Sequence, residues 1–574
     1  MYAEVVVLTY QAPDIGTFTY EIPKNLEKQI KIGQLVQVPF GSRNPQAIVL
    51  DTRSDLVLIS RSDLNVEKIK SITSIVFEQP ILLPYQIELL RWTASYYFAP
   101  MVNCLEAMLP QLPSKLSNYS SSGAQRNREG TNESKFSTDS NNSQKISQTL
   151  VLIPSINRLP ETLARFPNAK NYVLYHNQLK TAERFGNWLK ILEGSVDYIF
   201  GSRSAIFAPC PNPAKIIIFD EHDGAYKDER SPYFDTLTIA EKLQTLTKAQ
   251  LEIIDSSPKV TTYFVHKSEV TKSQKAKGAR VEIVPMAEER QMGNKSPISS
   301  TLSDELEKIR KNKGRALLFL NKKAESGQIY CRACKQQNFA PKMPTNCPNC
   351  QSPDIFFHSL NINSLAQEVK KIVPLSTCDI STSAIFYAQI FQKYDLVAHI
   401  STDSVLNIAD ITTGEKFYSQ FSDLKKITKD TGLLILQTYN PESDLLKNAA
   451  RGDFKNFYLA ELNARKMLLY PPYSLLVKVT IKGKSKDLIL QKAKNLVEAL
   501  KSVQGLSIKS ANPVILGPYE PVFLGKTPRY NILLKVKLNS YDIETKEKTL
   551  KGLSPYLSKV PKGWQISVEP DSLN

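Results

Sequence analysis

A chain of 574 residues, 42% hydrophobic and 22% charged, is too long for a single core and too ordinary in composition to be disordered throughout, so several soluble domains are expected. No apolar run approaches the roughly 18 residues that span a bilayer, and Met1 is followed by Tyr2, Ala3 and Glu4 rather than a basic and then apolar leader, so the expectation is a cytoplasmic protein with no membrane partner. The net charge of +17 points to a polyanionic partner, because neutralising phosphates releases condensed counterions whatever the base sequence.

The first fifty residues read as short strands, Val5–Leu8, Phe18–Ile22, Leu35–Val38 and Ala47–Leu50, punctuated by Pro13, Gly16, Pro23, Gly33, Pro39 and Gly41. Helical spacing follows over 84–110, with Ile87, Leu90 and Trp92 ahead of Tyr96, Tyr97 and Phe98. From Ser114 to about Gln148 the chain is rich in Ser, Asn, Gln and Thr and poor in large apolar residues, which predicts a disordered linker. Buried-strand runs then alternate with helical stretches: Leu150–Ile153, Tyr172–Tyr175 and Ile216–Phe219, with a helix over Leu179–Leu192. A second set, Ala316–Leu320, Leu396–Ala398 and Leu433–Leu436, follows from about Gly314. Such alternation predicts two α/β lobes built on parallel sheets. The last hundred residues mix strands at Leu476–Val479 and Ile532–Val536 with a helix near 487–502, and carry roughly two basic residues for each acidic one.

Four of the seven cysteines fall within twenty residues. Cys331 and Cys334 form one C-x-x-C pair, Cys347 and Cys350 another, and twelve residues separate the pairs. Two tight turns facing each other complete a tetrahedron of thiolates, so a structural zinc, one per chain, is predicted; four thiolates leave no open position for a catalytic water.

Read in order, these segments resemble the PriA family of replication-restart helicases. The amino-terminal run Gly16–Pro23 followed by Val36–Arg43 is similar to the family domain that captures the 3′ end of a nascent strand. Arg91–Pro100 resembles its helical close. Leu152–Pro154, Phe200–Pro209 and Asp220–Lys227 resemble motifs of the first helicase lobe. Leu317–Lys323, Gln437–Pro441, Tyr470–Tyr473, Leu516–Pro518 and Val568–Asp571 extend the match to the carboxy end.

The departures fall on the motor. A family member opens its first lobe with a Gly-rich loop ending in Gly-Lys-Thr that cradles phosphates and supports Mg²⁺. Nothing of that form precedes the first lobe here, and the winged-helix domain has shrunk to the Ser/Asn-rich linker. The acidic motif Asp-Glu-Glu-His becomes Phe219-Asp220-Glu221-His222, either one residue short or with Phe in place of the metal-holding Asp. The Gly-Ser-Ala-Thr-Pro motif becomes Ile254–Pro258, and Ile427 and Asp430 stand where two arginines near the γ-phosphate are expected. One of the family's two zinc sites is absent, while Cys331, Cys334, Cys347 and Cys350 match the other.

The resemblance implies an α/β multidomain fold: a 3′-end-binding β domain over 1–112, a disordered linker over 113–149, a degenerate RecA-like lobe over 150–300, a second lobe over 301–442 with a zinc-ribbon insertion at 328–356, and an α+β domain over 443–574. Phe18, Tyr20, Gly41 and Lys70 match the 3′-end pocket, with Thr19 where the family has Asp; Phe18 and Tyr20 equally fit plain core filling. Arg203 and Ser204 are candidate strand contacts, or else a helix-start ion pair. The implied function is binding of forked and single-stranded DNA and recruitment of replication-restart proteins and a helicase loader at the nucleoid, without ATP and Mg²⁺, with Asp220, Glu221 and His222 as a catalytic remnant. Two other readings stay open: an active 3′–5′ helicase with an unrecognised nucleotide site, and a zinc-ribbon scaffold for RNA.

Overall fold

The computed structural model describes residues 1–8, 16–54, 69–114, 116, 119, 146–265, 278–321, 327–340, 343–358, 360–388, 392–503, 512–521 and 527–574. The described residues form a mixed α/β protein built on four larger sheets and a small three-stranded one.

The amino-terminal sheet is antiparallel. It comprises β1 (Tyr2–Val7), β2 (Phe18–Glu21), β3 (Gln34–Gln37), β4 (Gln46–Arg53) and β5 (Ser74–Pro80), in the order β2-β1-β4-β3-β5. Its period-2 pattern buries Ala3, Val5, Val36 and Val49 on one face and Val6, Leu35, Ile48 and Leu50 on the other. Gly33, at φ +85°, is required where β3 begins, because a Cβ there would sit 2.1 Å from the Leu82 carbonyl oxygen. Two helices follow, α1 (Pro84–Tyr96) and α2 (Met101–Met108), as their spacing predicts.

A wholly parallel sheet comes next, built from β6 (Gln148–Leu152), β7 (Tyr172–Tyr175), β8 (Tyr198–Gly201), β9 (Pro213–Phe219) and β10 (Gln250–Ile254) in the order β10-β9-β6-β8-β7. It is flanked by α3 (Thr181–Leu192) and α4 (Thr236–Thr247). Asp235 caps α4, its carboxylate accepting from the Leu237 and Thr238 amides.

The expected linker is shorter than 113–149. Leu116 and Tyr119 are buried against the first lobe, the Tyr119 hydroxyl donating to the Ala182 carbonyl. Gln148 is fully enclosed, donating to the carbonyls of Ile191 and Val196. Composition marks the polar middle but not the two apolar anchors at its start; residues 120–145 lie outside the described residues.

After α5 (Val260–Val265) the second parallel sheet begins with β11 (Arg280–Pro285), which pairs with the strand Thr428–Thr438, β18. The crossing between lobes therefore precedes Arg280 and does not fall at 300, because hydrogen bonding to β18 fixes where β11 belongs. The sheet continues through α6 (Ser300–Lys311), β12 (Ala316–Phe319), the small antiparallel sheet β13 (Gly327–Cys331), β14 (Gln337–Ala340) and β15 (Ile355–His358), then α7 (Ile362–Lys370), β16 (Cys378–Ser381), β17 (Tyr394–His399), α8 (Thr413–Ile427) and β18 (Thr428–Thr438). The large sheet runs β11-β18-β17-β12-β16, the small one β14-β13-β15. Helices α9 (Asp444–Arg451) and α10 (Phe454–Leu468) bury Leu446, Phe457 and Tyr458 in the same core as Leu317 and Leu434, so the second lobe extends beyond 442.

His399, at the end of β17, is fully enclosed with its ring edge-on to Phe319 at 5.1 Å. Burial pushes its imidazole down to about 4, against Gln420 as a partial offset. The unfolded chain therefore binds a proton that the folded lobe does not between about pH 6.5 and pH 4, and stability falls as pH drops through that window. His399→Leu should flatten this slope, removing about 2 kcal/mol of acid sensitivity at pH 5. Urea midpoints at pH 5 and 7 for both proteins measure it; parallel slopes would contradict the assignment.

The carboxy-terminal unit is β19 (Ser474–Lys482), α11 (Lys486–Lys501), β20 (Val514–Tyr519), β21 (Arg529–Lys537), α12 (Ile543–Leu557) and β22 (Gln565–Val568), an antiparallel sheet in the order β20-β21-β19-β22 under two helices. Its core is continuous with that of α1, α2 and the first lobe, and Tyr96, Tyr541 and Lys546 all reach the buried Glu569 carboxylate. No helix among the described residues is long and apolar enough to cross a membrane.

Candidate functional site

The two parallel sheets face each other across a cleft of about 1060 Å³. It lies where strand ends and connecting loops meet, the usual position for ligands in such sheets. Asp220 follows β9 directly, at φ +48°, with its amide bonded to the Ile254 carbonyl. This turn sends alternate residues of the acidic motif to opposite sides. Asp220 and His222 line the cleft, whereas Glu221 faces a separate small cavity of about 90 Å³.

In that second cavity Glu221 is 1% exposed, accepts from the Thr262 hydroxyl and lies 3.1 Å from Lys259 Nζ. Lys259 is shared with Asp235, also at 3.1 Å. Despite burial, the lysine holds Asp235 down at about 2, whereas burial pushes Glu221 up to about 7 with Asp235 and Asp255 adding to the rise. One ammonium cannot neutralise both carboxylates, and Asp235 takes it. Glu221 is thus a core carboxyl whose protonated form burial favours, rather than part of the cleft.

Inside the cleft every remnant of the acidic motif has a protein partner. Asp220 lies 2.5 Å from Arg158 and 2.9 Å from Lys426 Nζ. His222 Nδ1 lies 2.8 Å from Asp255 and Nε2 lies 3.3 Å from Asp423. Burial disfavours the imidazolium, yet the two flanking carboxylates hold it well above the ordinary histidine value. Donor atoms of Asp220, His222 and Asp255 lie within 4.8 Å of one another. They do not fit a magnesium or nucleotide phosphate site, because Arg158, Lys426 and the His222 proton already engage them. Asp255, Asp423, Arg158 and Lys426 escape sequence reasoning; the one signal for Lys426 is its place beside Ile427 in the degenerate arginine motif.

The four cysteines converge as predicted. Cys331 and Cys350 sulfurs are 3.5 Å apart and Cys334 and Cys347 sulfurs 3.8 Å, all four within 4.8 Å. Tetrahedral zinc with bonds of about 2.3 Å places its thiolates near these separations, so the donor set fits the ion. The module docks on the second lobe through Tyr330, stacked on Tyr439 at 5.5 Å, and through Arg290, over the Phe356 ring and bonded to the Tyr439 hydroxyl.

Of the residues expected around a 3′ end, Phe18 and Tyr20 lie on β2. Phe18 packs edge-on against Phe40 at 5.0 Å, and Tyr20 is buried in the sheet core with its hydroxyl donating to the Pro39 carbonyl. Gly41, at φ +61°, forms the exposed turn beside them, and the Lys70 carbonyl accepts from the Glu21 amide while its residue is exposed. Tyr20 fills the core, and of the two rings Phe18 is the more accessible. Arg203 bonds the carbonyls of Ala225 and Lys227 and pairs with Asp228 at 3.3 Å, and Ser204 is buried. Arg203 thereby braces the loop after Asp220.

The fold and these sites define a two-lobed α/β protein with a closed four-thiolate module and a β-rich amino-terminal domain. Residues 6–110 match a family profile described as the 3′ DNA-binding domain of PriA. Curated relatives named replication restart protein PriA include that of Bacillus subtilis, 26% identical over 74% of this chain and 59% of the relative. Those of Rickettsia conorii and Rickettsia typhi are each 24% identical, covering 90% and 96% of this chain and 92% and 97% of the relatives. The match to the Synechocystis relative spans 55% of its length, so this chain matches little more than half of the longer relatives. Among solved structures, RecG bound to a three-way DNA junction is similar over 56% of this chain and 43% of that one, with TM-score 0.29 and 11% identity. The chain is thus similar to the PriA 3′ DNA-binding domain over 6–110, and over most of its length to relatives named replication restart protein PriA.

Proposed function

We propose that this chain binds branched DNA in replication restart as two RecA-like lobes whose nucleotide site is silent. The observation that carries the reading is the cleft itself: the acidic motif is present, but its carboxylates and histidine are spent on protein cations and carboxylates. Similarity to relatives named for replication restart, and the profile match over 6–110, support DNA ends and forks as the ligand. The excess of 17 positive charges supplies the sequence-independent part of the affinity. Zinc at the four cysteines would hold the small module against the second lobe, and recruitment of restart proteins and a helicase loader follows as the output.

Fork affinity is expected to fall about 10²–10³-fold between 50 and 200 mM salt, as for a protein making roughly five or six phosphate contacts. Fluorescence anisotropy with a labelled fork, a duplex and a structured RNA of equal length tests this. A flat salt response would remove the charge argument, and tighter binding to the RNA would favour the zinc-ribbon scaffold instead.

A further inference from the structure

The cleft carries an ion-pair network that is balanced and crosses between the lobes. Three carboxylates, Asp220, Asp255 and Asp423, meet three cations, Arg158, Lys426 and the His222 imidazolium. Asp220, Asp255, Arg158 and His222 come from the first lobe, whereas Asp423 and Lys426 come from one turn of α8 in the second. Each first-lobe ion also has a partner inside its own lobe: Asp220 has Arg158, and His222 has Asp255. The α8 pair therefore adds only the cross-lobe bonds. Around it Ser256 and Ser422 hydroxyls meet at 3.0 Å and Tyr387 donates to Asp223 at 2.9 Å, again from opposite lobes.

We propose that Asp423 and Lys426 of α8 latch the two lobes shut, gripping His222 and Asp220 in place of a nucleotide, so that the pair holds one closed arrangement without ATP. The network lies partly out of water, with side-chain exposures of 5% for His222, 11% for Asp220, 18% for Asp423, 24% for Arg158 and 34% for Lys426, so its attractions are screened less than those of fully exposed pairs. Helix α5, beside the smaller cavity, adds a second tie between the lobes. Its Val260 and Tyr263 are buried in the second-lobe core, and Tyr263 stacks on Tyr458 at 4.1 Å, so the segment leaving β10 is fixed to the opposite lobe. The inference deepens the reading of a silent nucleotide site and rests on it in one respect, that closure needs no nucleotide.

Spin labels at the exposed Lys190 of α3 and Glu307 of α6, introduced as K190C and E307C, report the distance between lobes. The labelled 574-residue chain is expected to give one narrow distribution that ATP and Mg²⁺ leave unchanged. Asp423→Ala with Lys426→Ala should add a second, longer population, and the near-isosteric pair Asp423→Asn with Lys426→Met should do the same if the alanine protein folds poorly. Lys429→Ala, which cuts a pair with Asp395 inside the second lobe, should change nothing. A distribution unaltered in the folded latch variants, or a broad wild-type distribution that ATP narrows, would overturn the latch. ATP turnover measured on the same samples keeps the two ideas apart: turnover with a narrow, unchanged distribution refutes the silent site and leaves the latch standing.

Discussion

Fork-stimulated ATP turnover is expected to be lower than that of a working motor of this architecture by a factor of about 10³ or more, since losing a single phosphate-stabilising group already has an effect of that size. Here the losses are joint. No Gly-rich phosphate loop precedes the first lobe, Ile427 and Asp430 stand where the PriA resemblance leads one to expect arginines, Glu221 is turned away from the cleft, and Asp220 is paired with Arg158 and Lys426. Groups that act as a unit fail as a unit, so the effects of removing the remnants should be small rather than additive. Phosphate release by purified protein, with and without forked DNA, checks this. The reading is falsified if turnover is robust and disappears in Asp220→Ala/Glu221→Ala.

Stripping zinc should unfold the 327–358 module while leaving both lobes intact. Its three strands are short and, among the described residues, its buried side chains include few beyond Ile329, Cys331 and Cys347, too little apolar surface for so small a unit to stand alone. Metal binding is then most of its folding free energy, on the order of 10 kcal/mol for closed thiolate sites. Elemental analysis should return one zinc per chain, and Cys331→Ser/Cys347→Ser should lose it. Limited proteolysis of the variant should cut first within 327–358, with the docking stack of Tyr330 on Tyr439 lost at the same time. A module as protease-resistant without zinc as with it would show that the cysteines are incidental to its fold.

What the sequence by itself determined lies in patterns that are local along the chain. Strand periodicity placed β1 to β4, β12, β17 and β18, and the helical stretches near 84–110, 179–192 and 487–502 appear as α1, α2, α3 and α11, because side-chain alternation and helical faces depend on neighbours a few residues apart. The C-x-x-C pairs fixed the thiolate cluster for the same reason, each pair being a single turn. Lobe boundaries were not legible at 300 and 442: β11 is assigned by pairing with β18 some 150 residues later, and α9 and α10 by burial against the second sheet. Nor could the string Asp220-Glu221-His222 reveal that its members part company. The left-handed turn at Asp220 separates them; Lys426 pairs with Asp220, and the protonation of Glu221 and His222 is decided by Lys259, Asp255 and Asp423, which only folding brings within a few ångströms. Charge interactions between distant segments depend on distance and burial, and the tertiary structure alone supplies both.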